Sequence, residues 1–131
     1  MNLPANRSEI RSSVDKHEST LRKLTIGDDA YIDSLLASQR ANLSQSGLDP
    51  RSHALVRLGA LIAADAAPPS YLDALECARQ YDTSDDELVG CLIAVLPDVG
   101  AARVISAAPK LGLAIGYDVA VALEDSTSSL S

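Results

Sequence analysis

Residues 84–97 read SDDELVGCLIAVLP, and this stretch decides the fold. Ser84 followed three residues later by Glu87 is a capping box, in which each side chain answers a backbone amide that the first turn of a helix leaves unpaired. The run that follows is apolar on nearly every side and shows no period-two alternation, so it predicts a helix rather than a strand. A helix apolar all round has to be covered on more than one side. Residues 54–64 and 99–109 share that character. Three such segments in 131 residues imply a central apolar helical hairpin, an oligomer interface, or both.

Working outward, the punctuation is helical throughout. Asp49-Pro50 opens one helix, Asp as cap and Pro where no amide hydrogen is required; it runs to the Pro68-Pro69 pair. Pro69 or Ser70 opens the next, over YLDALECARQY. The stretch from Val99 to Ile115 predicts a helix kinked at Pro109 and closed by Gly116. Its small residues Ala108, Gly112 and Gly116 suit a close helix crossing. Upstream, a weakly amphipathic helix is expected from Ser12 to Leu24. Another starts at the Asp28 cap, carries Tyr31, Ile32, Leu35, Leu36 and Leu43 as one stripe, and ends at Gly47. The expected fold is all-α, with about six helices. A flexible arm is expected over 1–10, a single domain over 11–123 and a disordered serine-rich tail over 124–131.

Composition excludes several roles. A formal net charge of −7 and a pI near 4.6 oppose nucleic acid, which needs a basic face, and anionic membranes likewise. Arg57, Asp65, Asp98, Arg103 and Lys110 interrupt the apolar runs, so no membrane span is expected. The N-terminal residues lack a signal-peptide pattern, which leads to a cytoplasmic expectation. With four Tyr and no Phe or Trp, the core must be filled by Leu, Ile, Val and Ala, whose small volumes favour close helix approach.

From Leu48 to Val119 the chain resembles the carboxymuconolactone decarboxylase family, whose fold is alkylhydroperoxidase D-like. The likeness is carried by GLDPR leading into ALVRLGALIA, by the Ser84–Glu87 box leading into LVGCLIAVLP, and by Val99-Gly100 followed by ARVISAAPKLGLAIGYD. The resemblance implies an all-α core with a central helical hairpin, assembled as a trimer or hexamer. Peroxidase-like relatives carry a Cys-x-x-Cys pair, a His and a Glu. Those positions fall here on Ala67, Ser70, Ala74 and Ala54 or Leu55, so the thiol centre is absent and the decarboxylase chemistry loses its histidine.

The remaining candidates are isolated polar groups in apolar surroundings. Arg57 and Arg103 are candidates to clamp a substrate carboxylate, with Tyr71 or Asp98 to move a proton; the competing reading makes both arginines structural ion pairs, Arg103 with Asp98 nearby in sequence. His53 lies one turn before Arg57 on the same helix face. Cys77 and Cys91 read as buried small hydrophobes, or as a redox pair lacking a basic neighbour to activate either thiol. No cofactor and no metal are expected. The expected partners are other copies of the chain and a small apolar or carboxylate-bearing molecule.

Overall fold

A capping side chain or a left-handed residue sets most of the helix boundaries. The computed structural model describes residues 7–130, with side chains from 15 to 126; residues 1–6 of the expected arm lie outside the described residues, and the expected tail has no described side chain beyond 126. The described residues form eight helices and no strand. They are α1 (Arg7–Thr25), α2 (Asp29–Leu36), α3 (Gln39–Ser46), α4 (Pro50–Ala63), α5 (Pro68–Arg79), α6 (Asp85–Val99), α7 (Ala101–Ala114) and α8 (Val119–Leu130). The chain is all-α, but with eight helices where about six are expected.

Two differences make up the count. The single helix expected from Asp28 to Gly47 is broken at Ala37-Ser38. There the Ser38 hydroxyl accepts the Ala41 amide at 3.0 Å and starts α3, the ordinary role of serine at a helix start. The second is α8, which continues to Leu130 where a short turn or helix from Asp118 to Leu123 and then a frayed end are expected. Helix α1 begins at Arg7, ahead of the expected Ser12.

The chain divides into two compact units, Met1–Gly47 and Leu48–Ser131. In the first, α1 packs on α2 and α2 on α3. The Asp28 carboxylate caps α2 by accepting the Tyr31 amide at 3.0 Å, and the Asn42 amide donates to the Leu35 carbonyl at 3.1 Å. The Lys23 ammonium lies 4.9 Å from the centre of the Tyr31 ring. Yet α2 and α3 bury no side chain.

The second unit holds the core. Helices α4 and α7 pack on each other and on both flanking helices, α5 and α6, whose backbones stay apart. Helices α6 and α7 pack as a hairpin about Gly100, but the pair at the centre, α4 with α7, is not consecutive in the chain. Core positions repeat at helical spacing: Ala54, Leu58 and Ile62 on α4, Tyr71, Ala74, Leu75 and Ala78 on α5, Leu88, Cys91 and Leu92 on α6, and Ala107 and Leu111 on α7. With so many alanines the helices approach closely. A Cβ on Gly59 would stand 3.3 Å from Val95 Cγ1. At Gly112 it would stand 2.9 Å from the Tyr117 carbonyl oxygen and 3.0 Å from Val119 Cγ2. The smallness of Gly112 thus serves the chain's own return into α8, rather than the crossing helix its spacing suggests.

The capping box is formed: Ser84 Oγ accepts the Glu87 amide at 3.1 Å and Glu87 Oε1 accepts the Ser84 amide at 3.3 Å. The Arg51 guanidinium pairs with the same Glu87 carboxylate. That pairing, with the Ser84 bonds, holds Glu87 below the usual carboxylate range. Helices α6 and α7 both run through their internal prolines, Pro97 and Pro109. The all-round apolar character of these segments is only partly used within the chain, since Ile93 and Ile105 are each 71% exposed.

Candidate functional site

One polar group in contact with two chemistry-bearing side chains lies where α4 meets α5. Arg57 stands one position before the core residue Leu58, and its side chain is 19% exposed. Asp73 and Cys77 are one helical turn apart on α5 and so share a face. Arg57 Nη2 donates to Asp73 Oδ2 at 2.6 Å, and Nη1 donates to Cys77 Sγ at 3.4 Å. The expectation that neither cysteine has a basic neighbour is therefore corrected. The signal was hidden because Arg57 and Cys77 are 20 positions apart and meet only through the register of α4 on α5. The guanidinium is shared between sulfur and carboxylate, so its charge is already answered by Asp73, the partner expected of a structural ion pair.

Cys91 is in a different setting. It is buried on α6, and its thiol donates to the Leu55 carbonyl at 3.5 Å. Burial pushes that thiol up from its ordinary pKa, the direction of an inert sulfur. Both cysteines are free, Cys77 on α5 and Cys91 on α6, helices whose backbones do not approach each other.

A second polar cluster centres on Asp65, in the turn between α4 and α5, at φ 52°. A non-glycine residue in that left-handed region is uncommon and is held by what surrounds it. Asp65 Oδ1 accepts Ser106 Oγ at 2.8 Å and Lys110 Nζ at 3.1 Å, while Arg103 lies 3.3 Å from Oδ2. The Ser106 bond first, then Lys110, keeps this carboxyl below its ordinary pKa. Lys110 also donates to the Ala66 carbonyl at 2.9 Å. These bonds fasten the α4–α5 turn to α7. Arg103 thus pairs with Asp65 and not with Asp98, which is exposed near the end of α6.

Tyr71 is fully buried, and its hydroxyl has no hydrogen-bond partner among the described residues. Burial, then the charge of Asp65, raises its pKa. Around it, Ala54, Leu58, Ala74, Ala78 and Leu88 line a narrow crevice that leaves no room for a water molecule. The four candidates Arg57, Tyr71, Asp98 and Arg103 are not joined to one another by any hydrogen bond or ion pair among the described residues. His53 is half-buried in the first turn of α4, whereas the contacts of Arg57 run to α5. At the positions where the resemblance would put a thiol centre stand Ala67, which precedes α5 without a capping side chain, half-buried Ser70 and buried Ala74.

Among the described residues, no three His, Cys, Asp or Glu side chains gather in a way that would hold a metal ion. No single described helix is long and apolar enough to cross a membrane; only α7 and α8 taken together reach that length and composition, and they are bent by 97° to each other. No family model matches this sequence, and no curated protein and no solved structure gives a significant match.

Proposed function

We propose that this chain is a carboxymuconolactone decarboxylase-like helical protein whose working form is an assembly of identical copies, a trimer or hexamer. In that form it binds a small apolar or carboxylate-bearing molecule and performs no thiol-peroxidase chemistry. The observation that carries the reading is the outward apolar side of α6 and α7. Val89, Ile93 and Leu96 recur at four and then three residues on α6, and Ile105 and Leu113 stand on α7, all exposed. Large apolar side chains gathered in this way mark an association surface more often than a solvated one. Light scattering on the eluting peak of a sizing column tests the assembly. A trimer or hexamer at micromolar concentration is expected, and Ile93→Asp should dissociate it; a monomer at that concentration overturns the proposal.

A second reading rests on the Arg57–Cys77 contact at 3.4 Å, which supplies the basic neighbour a reactive thiol requires. Under it the protein reduces peroxide through Cys77 and Cys91. Peroxide consumption that survives replacement of both cysteines by serine removes that reading.

A further inference from the structure

We infer that Arg103, Ser106 and Lys110 on α7 form a binding site for a small carboxylate-bearing molecule, and that the Asp65 side chain covers this site as the chain's own competitor. This rests on the carboxylate binding proposed above and names the residues that perform it. The three side chains stand three and four positions apart and so share one face of α7. Together they present a guanidinium, a hydroxyl and an ammonium. Their present partner is itself a carboxylate. Asp65 Oδ1 accepts Ser106 Oγ at 2.8 Å and Lys110 Nζ at 3.1 Å, and Oδ2 lies 3.3 Å from Arg103 Nη1. Each carboxylate oxygen thus meets its own cation, the charge-assisted contact a free carboxylate would make there.

The backbone does not call for an aspartate at position 65. The Ala66 amide donates to the Leu61 carbonyl at 3.0 Å and the Asp65 amide to the Ile62 carbonyl at 3.2 Å, the pair of bonds that closes a helix through a left-handed residue. Glycine is the usual residue there because it takes positive φ without strain, yet Asp65 stands at φ 52°. What Asp65 adds is its carboxylate. Charge points the same way. Residues 48–131 hold five basic and twelve acidic side chains. Arg51 and Arg57 pair with one carboxylate each, whereas Arg103 and Lys110 converge on a single one. One positive charge is therefore in surplus, which favours a ligand with two carboxylates over Asp65 with one. Solvent reaches the cluster, since the Asp65 and Arg103 side chains are 38% and 50% exposed. Rotation about the Asp65 Cα–Cβ bond frees the donors without moving the buried Leu58, Ile62 or Tyr71.

Calorimetric titration of the full chain with succinate tests this, with ionic strength held constant and succinamide as the uncharged probe of similar size. Asp65→Gly removes the competitor and suits the backbone. With Asp65 over the site in roughly nine molecules of ten or more, Asp65→Gly should bind succinate about tenfold or more tightly than the natural chain. Succinamide should bind to neither. Arg103→Gln and Lys110→Gln, added to Asp65→Gly, should abolish succinate binding, with circular dichroism confirming that the helices remain. Asp65→Asn, which keeps the side-chain shape, repeats the comparison if the glycine version does not fold. Equal affinity of the natural chain and the Asp65 versions overturns the inference. So does binding that survives the loss of Arg103 and Lys110, an outcome that moves carboxylate binding elsewhere and leaves the proposed function standing. No succinate binding by any version removes the site, and assembly is then judged by the sizing column alone.

Discussion

The two units of this chain use the same local devices and reach opposite outcomes in packing. In Met1–Gly47, Asp28 and Ser38 cap their helices as well as any residue in the molecule. In Leu48–Ser131, Asp49 and Ser84 do the same. Every buried hydrophobic side chain among the described residues nonetheless lies in the second unit. Capping decides where helices start; it does not decide whether they are held. What holds the second unit is the coincidence of three-to-four spacing on four helices at once, which brings Ile62, Tyr71, Leu88 and Leu111 into one fully buried cluster. In the first unit no described side chain is buried, and Tyr31, Ile32 and Leu35 on α2 are only half-buried.

The sharpest way to break that contrast is to delete matching apolar bulk from both units. Leu88→Ala should cost about 2–5 kcal/mol in urea unfolding, because it leaves a cavity in a closed core. Leu21→Ala, at an exposed position, should change the same transition by under about 0.5 kcal/mol. Equal losses would mean that the first unit carries a share of the core that its exposure denies. A smaller effect separates two glycines of the second unit. Gly112→Ala should cost about 1–3 kcal/mol, since its Cβ would press on the Tyr117 backbone. Gly90→Ala, with nothing within 4 Å of the new methyl, should instead raise the melting temperature through helix propensity worth about 0.5–1 kcal/mol.

Tyr71→Phe follows, at about 1 kcal/mol and in the stabilising direction, because it removes a buried hydroxyl that has no partner among the described residues. A loss of stability measured by calorimetry would show that the hydroxyl is satisfied in solution. The smallest effect is in acid. Asp65 and Glu87 are held below their ordinary values of 3.8 and 4.5. Each therefore contributes stability that is complete above its unfolded-state pKa and is lost as pH falls through the folded one. Unfolding curves at pH 6, 4 and 3 should show stability level down to roughly pH 4.5 and declining below it. Asp65→Asn should flatten part of that decline.

Reading the sequence recovered the all-helical character and the boundaries written in local chemistry. Asp49-Pro50, the Ser84–Glu87 box and Gly116 are complete within a few residues of backbone and need no tertiary context. Ser38 was missed because a serine inside an apolar stripe looks like a tolerated interior residue, and only the bend at Ala37 shows it to be a cap. The polar partners of the candidate residues were out of reach for a different reason. Arg57 with Asp73 and Cys77, and Asp65 with Ser106 and Lys110, are joined across 16 to 45 positions. Such pairs depend on how one helix slides against another, which no spacing within a single helix encodes. The nearest charge in sequence, Asp98 for Arg103, was the wrong partner on that account.

The Asp65 clamp has a kinetic consequence. Its bonds to Ser106 and Lys110 close loops of 41 and 45 residues, and closing loops of that length has an entropy cost that must be met before the contact returns anything. Such a contact is expected to form late, after α4 and α7 have docked through Leu58, Ile62 and Leu111. Removing it with Asp65→Asn should therefore leave the refolding rate nearly unchanged and quicken unfolding. In stopped-flow experiments only the high-denaturant limb of the rate plot should move. Asp65 then acts as a latch on the finished second unit, setting how long it stays shut rather than how quickly it is made.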